Sequence, residues 1–320
     1  MTYESYPDLY FALRGGGNNF GIVTRFDLVT FAQGPLWAGG MTYIYTPATA
    51  TALNSAFYYM NINAPSDPYA AVILAYAYVQ SLGMFVIASD LQYGKPVVNP
   101  PILQNFTAVP GAIADTLSIV NLTDLTVEFN NSNPGGFRYA LDSLTPFNHA
   151  TEILTPTNRQ TYWALMVKNS PTLMADITAI YMDEVSRIAN VSGVVPSCVF
   201  QPITTDMTSY FSKNGGNALG VSSADGPLNL INIDISWSLI SDDAAVMQAA
   251  RNIVNRSNAT AYAQGLGFPY LYENYAALEQ DVFASYGEEN LERLRAVSAK
   301  YDPRGVWQKL QPGYFKVGTS

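Results

Sequence analysis

A run of glycines and asparagines near the start of the chain has the composition of an anion-binding turn. Three adjacent glycines, followed by two asparagines, leave backbone amides accessible and remove side-chain bulk where the backbone must approach another group closely. The residues concerned are Gly15, Gly16, Gly17, Asn18 and Asn19. This pattern suits the phosphate groups of a cofactor, and its structural alternative is a tight turn between a helix and a strand.

The turn does not have the form of a nucleotide-binding fingerprint of the Rossmann type. Such a fingerprint requires a strand, then the glycines, then a helix. Here Pro7 and Asp8 predict the start of a short helix that Gly15 ends, and the alternating residues 20–28 predict a strand afterwards. The glycine spacing G-x-G-x-x-x-G also departs from the fingerprint, so a nicotinamide dehydrogenase is disfavoured.

Cysteine and histidine offer little chemistry in this chain. Cys198 and His149 are the only residues of their types, which excludes an internal disulfide and a cysteine-based metal site. The apolar neighbours of Cys198 predict a buried small side chain, and the polar neighbours of His149 predict a loop or surface position. A Ser-His-Asp triad around His149 would lack the nucleophile-elbow motif. No metal site is predicted.

Composition indicates a globular protein. The chain has 320 residues, of which 48% are hydrophobic and only 13% charged, and its net charge is −9. An acidic chain of this kind is a poor partner for nucleic acid or for an anionic membrane surface. Residues 69–88 carry no charge and could span a bilayer by length, but turn-forming residues at 80–83 predict a buried β-hairpin instead.

Periodicity predicts an α+β fold in which an antiparallel sheet is covered by helices on one side. Residues 228–239 are the clearest strand, with Trp237 and three isoleucines on one face and polar residues on the other. Residues 209–225 read as a mobile polar loop, 131–136 as a loop, and 137–157 remain unassigned. The predicted strands are 36–45, two within 69–93, 114–120, 160–167, 194–202 and 228–239. The predicted helices are 7–13, 47–62, 99–106, 123–130, 171–185, 243–255, 276–286 and 288–300.

Two blocks of sequence resemble the berberine bridge enzyme-like FAD-linked oxidoreductases, a family of the vanillyl-alcohol oxidase fold. The string ALRGGGNNFGIVTRFDL at residues 12–28 looks like the end of the family's PCMH-type FAD-binding domain. The string YLYENYA at residues 270–276, with KYDPRGVWQ at residues 300–308, resembles the berberine-bridge segment at the family's carboxyl end. The two blocks stand in the family's order.

The resemblance implies a domain organisation and a cofactor. Residues 1–34 would be the last helix, turn and strand of the FAD-binding domain, 35–262 a substrate-binding domain, and 263–320 a segment that returns to the FAD domain. The histidine and cysteine to which the family attaches FAD covalently are not present in this chain. The sequence is therefore expected to be a fragment, and the alternative to an active oxidoreductase is a non-catalytic binding remnant that no longer holds FAD.

The same resemblance implies roles for individual residues. In carbohydrate-oxidising relatives, tyrosines and a carboxylate or amide beside the flavin share the tasks of taking the hydroxyl proton and orienting the substrate over the ring. Tyr272 and Tyr275 stand in the matching Y-x-N-Y motif. Asn274 and Tyr275 match positions against the flavin, whereas the charge of Glu273 is unusual there. The implied cofactor-binding residues are Gly15, Gly16, Gly17, Asn18, Asn19, Gly21, Ile22, Val23, Asn274 and Tyr275.

Three further residues are candidates for substrate binding. Asn232 and Asp234 would supply an amide and a carboxylate if their sheet face looks toward the flavin, and a solvated face is the alternative reading. Gln201 is a pocket candidate whose alternative role is structural. The expected partners are a small molecule bearing an alcohol, a sugar or a secondary-metabolite ring, and molecular oxygen or another electron acceptor. Secretion is expected from the family, and sequons for N-glycosylation occur at Asn105, Asn121, Asn130, Asn190, Asn255 and Asn258.

Overall fold

The computed structural model describes residues 2–132, 138–139, 159–311, 313 and 315–318. His149 and the unassigned segment 137–157, apart from two residues of one strand, lie outside these ranges. The helices in chain order are α1 (Pro7–Leu13), α2 (Pro47–Asn63), α3 (Gln104–Thr107), α4 (Leu122–Ser132), α5 (Pro171–Ile188), α6 (Thr205–Ser209), α7 (Asp243–Ala263), α8 (Glu288–Tyr301) and α9 (Val306–Lys309). The strands are β1 (Leu36–Ile44), β2 (Ala70–Val79), β3 (Met84–Tyr93), β4 (Ala112–Asp115), β5 (Ser118–Val120), β6 (Arg138–Tyr139), β7 (Arg159–Lys168), β8 (Val195–Ile203), β9 (Leu228–Trp237) and β10 (Gly267–Phe268).

Within the described residues the strands form one sheet, in the order β10-β7-β9-β8-β2-β3-β1-β4. Every pairing along this path is antiparallel. In addition, β5 pairs with β1 as its third partner, and β6 pairs in parallel with β7. The predicted hairpin is confirmed, because β2 and β3 pair along their whole length. No helix among the described residues is long and apolar enough to cross a membrane.

One face of the sheet carries the main hydrophobic core, against α2, α5 and α7. Alternate residues of the central strands point to this face, as the period of two in a strand requires. The predicted core position of Trp237 is confirmed, and Cys198 is buried in the same cluster as a small side chain. The strand residues that β7, β8 and β9 contribute are Trp163, Leu165, Val167, Cys198, Phe200, Ile231, Ile233, Ile235 and Trp237. The α+β arrangement predicted from periodicity is therefore correct.

A second hydrophobic cluster joins the two ends of the described chain. It combines α1 and the glycine turn with α8 and the segment that precedes it, and it also packs on Met166, Leu228 and Leu230 at one end of the sheet. Asp8 in α1 receives hydrogen bonds from Lys300 Nζ at 2.6 Å and from Tyr301 Oη at 3.0 Å. These contacts bring the two sequence blocks of the family resemblance side by side.

Five predicted elements differ in the structure. The predicted strand 114–120 is two short strands, β4 and β5, and the predicted helix 99–106 is a 3₁₀ turn at Pro101–Leu103 followed by α3. Residues 20–28 form no strand, because no described segment pairs with their backbone, and Ile22, Phe26 and Leu28 are 75%, 75% and 81% exposed. Residues 276–286 form no continuous helix, since the Gln280 side chain bonds the backbone of Ala164 instead and only a short 3₁₀ turn forms at Ala284–Tyr286. The segment 209–225 is not merely a polar loop, because apolar residues within it are buried in the second cluster.

Candidate active site

The face of the sheet opposite the main core carries a row of polar side chains. The register places Tyr162 of β7 and Ser197 of β8 on either side of Asp234 of β9. In the next row, Asn232 lies between Ala164 and Val199. Because side chains two residues apart share a face, these two rows are neighbours on one surface.

An ion pair behind the sheet sets this register. Arg159, the first residue of β7, pairs with Asp243 at the start of α7, and the two side chains meet at 2.6 Å between Arg159 Nη2 and Asp243 Oδ2. The indole of Trp237 donates to the same carboxylate at 2.8 Å, and Trp237 is the cross-strand partner of Arg159. A one-residue slip of β7 against β9 would turn every β7 side chain to the opposite face of the sheet. The Arg159–Asp243 ion pair opposes such a slip and thereby keeps Tyr162 beside Asp234.

Asp234 is a partly buried carboxylate held by two polar neighbours. Gln160 Nε2 donates to Asp234 Oδ1 at 3.0 Å and to the hydroxyl oxygen of Tyr162 at 2.6 Å. Burial raises the pKa of Asp234 to about 6, while the hydrogen bonds from Gln160 and Tyr162 act in the opposite direction. A carboxyl group with such a pKa changes protonation near neutral pH, which is the property of a general base.

Asn232 contributes a buried, unpaired acceptor to the same face of the sheet. The side chain is only 6% exposed, and its Oδ1 has no accessible surface and no hydrogen-bond partner within the described part of the chain. A buried acceptor without a donor costs free energy, and this oxygen is not open to a ligand. The polar face of β9 is thus largely buried, so the alternative of a solvated face does not hold for Asn232, whereas Asp234 is only partly buried.

Tyr275 crosses over β9 from the carboxyl-terminal segment. Its ring stacks on Tyr162 with centroids 6.4 Å apart, and Gln201 Nε2 donates to its hydroxyl at 3.4 Å. Tyr162 belongs to β7 and Gln201 to β8, so Tyr275 bridges the strands that flank β9. Tyr272 meets the edge of Tyr275 at 4.9 Å, and Asn274 Nδ2 donates to the Tyr272 hydroxyl at 2.8 Å.

Four of the residues predicted from the sequence therefore meet at one surface: Gln201, Asn232, Asp234 and Tyr275. Tyr272 and Asn274 lie at its edge, and Asn274 is exposed. The sequence reasoning missed Gln160 and Tyr162. The alternation of side chains in β7 could have shown that Gln160 and Tyr162 share one face, because the other face of the strand carries three apolar residues. Only the register of β7 on β9 shows that these two side chains reach Asp234.

Contacts within the chain account for the three adjacent glycines of the turn. A Cβ atom at Gly15 would touch Leu219, one at Gly16 would collide with Phe20 and the Ala12 carbonyl, and one at Gly17 would collide with the Glu273 carboxylate. Gly16 is thus required by the close approach of the Ala12 backbone, and Gly15 and Gly17 by their positive φ angles of +125° and +58°. The phosphate-binding role inferred from their composition is not needed to explain them.

The Glu273 carboxylate lies over this turn with Lys316 nearby. Burial raises the pKa of Glu273 to about 7, and the Lys316 ammonium acts in the opposite direction. Lys316 Nζ also donates to Asn18 Oδ1 at 2.9 Å. The short 3₁₀ turn Glu273–Tyr275 thereby directs Glu273 to the glycines and Tyr275 to the sheet surface.

Asn19 is committed to holding the carboxyl-terminal residues. Its Nδ2 donates to the carbonyls of Gly16 at 2.8 Å and Phe315 at 3.2 Å, and its Oδ1 accepts from Gln308 Nε2 at 3.1 Å and Val317 N at 3.2 Å. The three residues Gly21, Ile22 and Val23 are not packed against the protein in this way. A Cβ atom at Gly21 would meet open space, and the side chains of Ile22 and Val23 are exposed. Among the predicted cofactor contacts in this region, these three are open to a ligand.

The glycine turn allows a direct test of this packing. Gly17 has a φ of +58°, so Gly17→Ala should lower the free energy of unfolding by about 1–3 kcal/mol through left-handed strain and the collision with Glu273. Urea denaturation would measure this loss. The double variant with Glu273→Ala should recover part of the loss, whereas additive effects of the two changes would show that the side chains do not touch.

Groups of three or more histidine, cysteine, aspartate or glutamate side chains that could hold a metal ion are absent from the described residues. The polar groups that the described residues place on this surface are the carboxylate of Asp234, the amides of Gln160, Gln201 and Asn232, and the phenols of Tyr162 and Tyr275.

Comparison with known proteins places the carboxyl-terminal segment in a described family. Residues 271–312 match the family model "Berberine and berberine like". The FAD-dependent monooxygenase tpcD of Cochliobolus heterostrophus is 36% identical over 319 residues, which cover 98% of this chain and 58% of that protein. The FAD-dependent monooxygenase FUP4 of Fusarium proliferatum is 33% identical over 327 residues, covering 99% and 59% respectively. The chain thus spans less than two thirds of the length of these relatives.

Solved structures share the fold at low sequence identity. The xylooligosaccharide oxidase of Myceliophthora thermophila superimposes with a TM-score of 0.68 at 17% identity, over 100% of this chain and 63% of that one. The 6-hydroxy-D-nicotine oxidase of Arthrobacter nicotinovorans superimposes with a TM-score of 0.67 at 13% identity, over 96% of this chain and 61% of that one. At this level of identity the likeness shows a common architecture.

Proposed function

We infer that the chain belongs to the berberine bridge enzyme-like family of FAD-linked oxidoreductases. We propose that the polar surface of its sheet binds a small molecule with a CH–OH group, which FAD oxidises. The observation that carries this proposal is the partly buried Asp234 carboxylate, whose pKa is raised to about 6 and which Gln160 and Tyr162 hold on a surface bridged by Tyr275.

The residues present fit an FAD group at the edge of this surface. Gly21, Ile22 and Val23 are open, and the exposed amide of Asn274 and the ring of Tyr275 offer polar and aromatic contacts. These residues would hold the cofactor from this chain. When bound, FAD supplies the acceptor for the hydride that leaves the carbon of the alcohol.

Asp234 performs the proton chemistry in this proposal. Its carboxylate takes the hydroxyl proton as the hydride leaves, because charge that develops on the oxygen is otherwise costly in a buried site. Gln160 donates to both Asp234 and Tyr162, which fixes the carboxylate and directs its free lone pairs toward the surface. Tyr275 orients the substrate from the opposite side, supported edge-on by Tyr272.

The electron acceptor and the location of the protein are further parts of this proposal. The electrons taken from the substrate pass to molecular oxygen or to another acceptor. Secretion is proposed from the family together with exposed sequon asparagines at Asn105, Asn121, Asn190 and Asn255.

A second candidate is a binding remnant without flavin chemistry. The internal contacts that account for Gly15, Gly16 and Gly17 favour it, since the turn would keep these glycines in the absence of a cofactor. An anaerobic titration separates the two candidates. If the protein with FAD is mixed with a panel of alcohols and sugars, loss of the oxidised-flavin absorbance supports the oxidoreductase, and an unchanged spectrum with measurable ligand binding supports the remnant.

The role of Tyr162 can be tested through the pH profile of oxidation. Tyr162→Phe removes a hydrogen bond that lowers the pKa of Asp234, so the acidic limb of the rate should move to higher pH. We also expect the rate at neutral pH to fall by about tenfold, the usual scale for a lost charge-assisted hydrogen bond. Steady-state rates between pH 5 and 9, at about unit intervals, would measure both effects.

Tyr78→Phe is the matched control for this substitution, because Tyr78 lies on β2 and packs against the main core on the other face of the sheet. An acidic limb that stays in place in Tyr162→Phe would contradict the assigned contact.

A further inference from the structure

A cavity lies between α7 and the carboxyl-terminal segment, and we call it the α7 cavity. Its volume is about 430 Å³, within the range of roughly 300–1,000 Å³ that small-molecule sites occupy. Trp163 and Leu165 of β7 line it from the sheet, and both side chains belong to the main core. Tyr162 and Asp234 point to the opposite face of the sheet, so the α7 cavity is separate from the proposed active site.

The pairing of β7 explains why this space exists. On its outer edge, β7 pairs with β10 only at Met166 and Val167. Farther along the same edge, the Gln280 side chain takes the place of a strand, because its Oε1 accepts from Ala164 N at 2.9 Å and its Nε2 donates to Ala164 O at 2.7 Å. Residues 269–279 lie between these two attachments and form no ladder with β7, which leaves room beneath α7.

The helix α7 presents two free amides to the cavity. Asn255 and Asn258 are three residues apart, so they share one face of the helix. Neither side chain makes a hydrogen bond with any residue that the structure describes. Asn255 is exposed and Asn258 is half-buried, and their polar atoms are accessible to solvent. Each amide therefore keeps donors and an acceptor for a ligand.

Tyr262 adds an accessible aromatic ring to the same face of α7. The side chain is 52% exposed and lines the cavity. A Cβ atom at Gly267 would lie only 2.6 Å from the ring, so the backbone of Gly267 packs closely against the ring and supports it. The rest of the ring surface can pack against the C–H groups of a ligand.

The charged groups that border the cavity are already paired with each other. Arg251 of α7 donates from Nε to Glu279 Oε2 at 2.9 Å and from Nη2 to Glu279 Oε1 at 2.7 Å, and its Nη1 donates to Gln248 Oε1 at 3.0 Å. These are the two charged side chains among the described residues that line the cavity. A charged ligand would have to break this bidentate pair, whereas a neutral ligand would not.

We propose that the α7 cavity binds a neutral saccharide, with hydroxyl groups on the amides of Asn255 and Asn258 and a C–H face on the ring of Tyr262. A hydroxyl both donates and accepts, as an amide does, whereas a purely apolar ligand would bury both amides without partners. This site does not depend on the proposed function, since it lies on the other side of the sheet from Asp234.

The saccharide has two possible sources, a free oligosaccharide or an N-linked glycan, because Asn255 and Asn258 each stand in a sequon. Calorimetric titration of the chain made in a bacterial host, which adds no N-glycan to these sequons, tests both sources. The probes are cellobiose, a free disaccharide, and N,N′-diacetylchitobiose, the disaccharide that begins an N-glycan.

Two substitutions in the cavity should weaken binding of the disaccharide that binds better. Tyr262→Ala should weaken it by about tenfold through loss of the ring contact. Asn258→Ala should weaken it by about fivefold through loss of hydrogen bonds. Hydrogen exchange measured by mass spectrometry should show that the ligand protects residues 255–262.

Tyr210→Ala and Asn190→Ala are the matched controls. Tyr210 is 63% exposed, Asn190 is an exposed asparagine of another sequon, and neither lines the α7 cavity. Both variants should bind the disaccharide within about twofold of the wild type, because surface substitutions away from a site have small effects.

Asp234→Asn distinguishes this cavity from the proposed active site. Binding that persists in Asp234→Asn and falls in Tyr262→Ala supports the cavity, with cellobiose indicating a free saccharide and diacetylchitobiose alone indicating an N-glycan. Failure of both disaccharides to bind overturns the proposal. Equal binding by the wild type and Tyr262→Ala also overturns it, as does protection confined to residues 232–234 of β9.

Discussion

Asp234→Asn is expected to abolish nearly all oxidation while making the protein more stable. Loss of a general base typically lowers the rate by about 10²–10⁴-fold, and the amide has no basic lone pair at neutral pH to replace it. Burial raises the pKa of Asp234 from its ordinary 3.8 to about 6, which corresponds to a cost of up to about 3 kcal/mol for the charged form. The variant should recover part of this free energy at neutral pH.

The pH dependence of both effects has a definite sign. Oxidation requires the deprotonated carboxylate, so the wild-type rate should rise as the pH increases through about 6. Because the pKa in the folded state is higher than in the unfolded state, the wild type loses stability relative to Asp234→Asn as the pH rises from about 4 to 6, and the difference then stays constant. Thermal denaturation across this range, with steady-state rates on the same samples, measures both.

Asp90→Asn is the matched control. Asp90 lies on β3, three strands from β9 on the same face of the sheet, and it is outside the proposed site. We expect it to keep most of the oxidation rate and its pH profile. An Asp234→Asn variant that retains the wild-type rate would remove Asp234 from the mechanism, whatever its stability.

Asn19→Ala is expected to destabilise the protein by about 2–4 kcal/mol, because it leaves several buried groups without partners. The side chain is fully buried, and it binds both the turn at Gly16 and backbone groups of Phe315 and Val317. Its loss should release the carboxyl-terminal residues from α1 and the glycine turn. Urea denaturation measures the free energy, and hydrogen exchange of residues 315–318 would show the local release.

The adjacent asparagine is the control for this effect. Asn18 is exposed and its Oδ1 accepts from Lys316 Nζ, so Asn18→Ala should cost less than about 1 kcal/mol. Equal effects of the two substitutions would contradict the structural role of Asn19. If Asn19→Ala instead left stability unchanged but weakened FAD binding, the cofactor contact implied by the family resemblance would be the better account.

Local patterns determined most of the secondary structure of this protein. The alternation in residues 228–239 indicated β9 and the core position of Trp237, and Thr46-Pro47 and Ser170-Pro171 indicated where α2 and α5 begin. The Gly-rich and Tyr-rich blocks indicated the family. These features depend on residues within a few positions of each other, which is why a single sequence is sufficient to show them.

The sequence by itself thus determined the fold class, the family and several members of the candidate site, whereas the tertiary structure alone decided how those members meet. Gln160 and Tyr162 reach Asp234 only through the register of β7 on β9, over seventy positions away in sequence. Most of the polar face of β9 is buried, and Tyr275 arrives from the carboxyl-terminal segment to bridge the strands beside it. Side-chain type is a local property, but burial, pairing and pKa depend on groups that only the folded chain brings together.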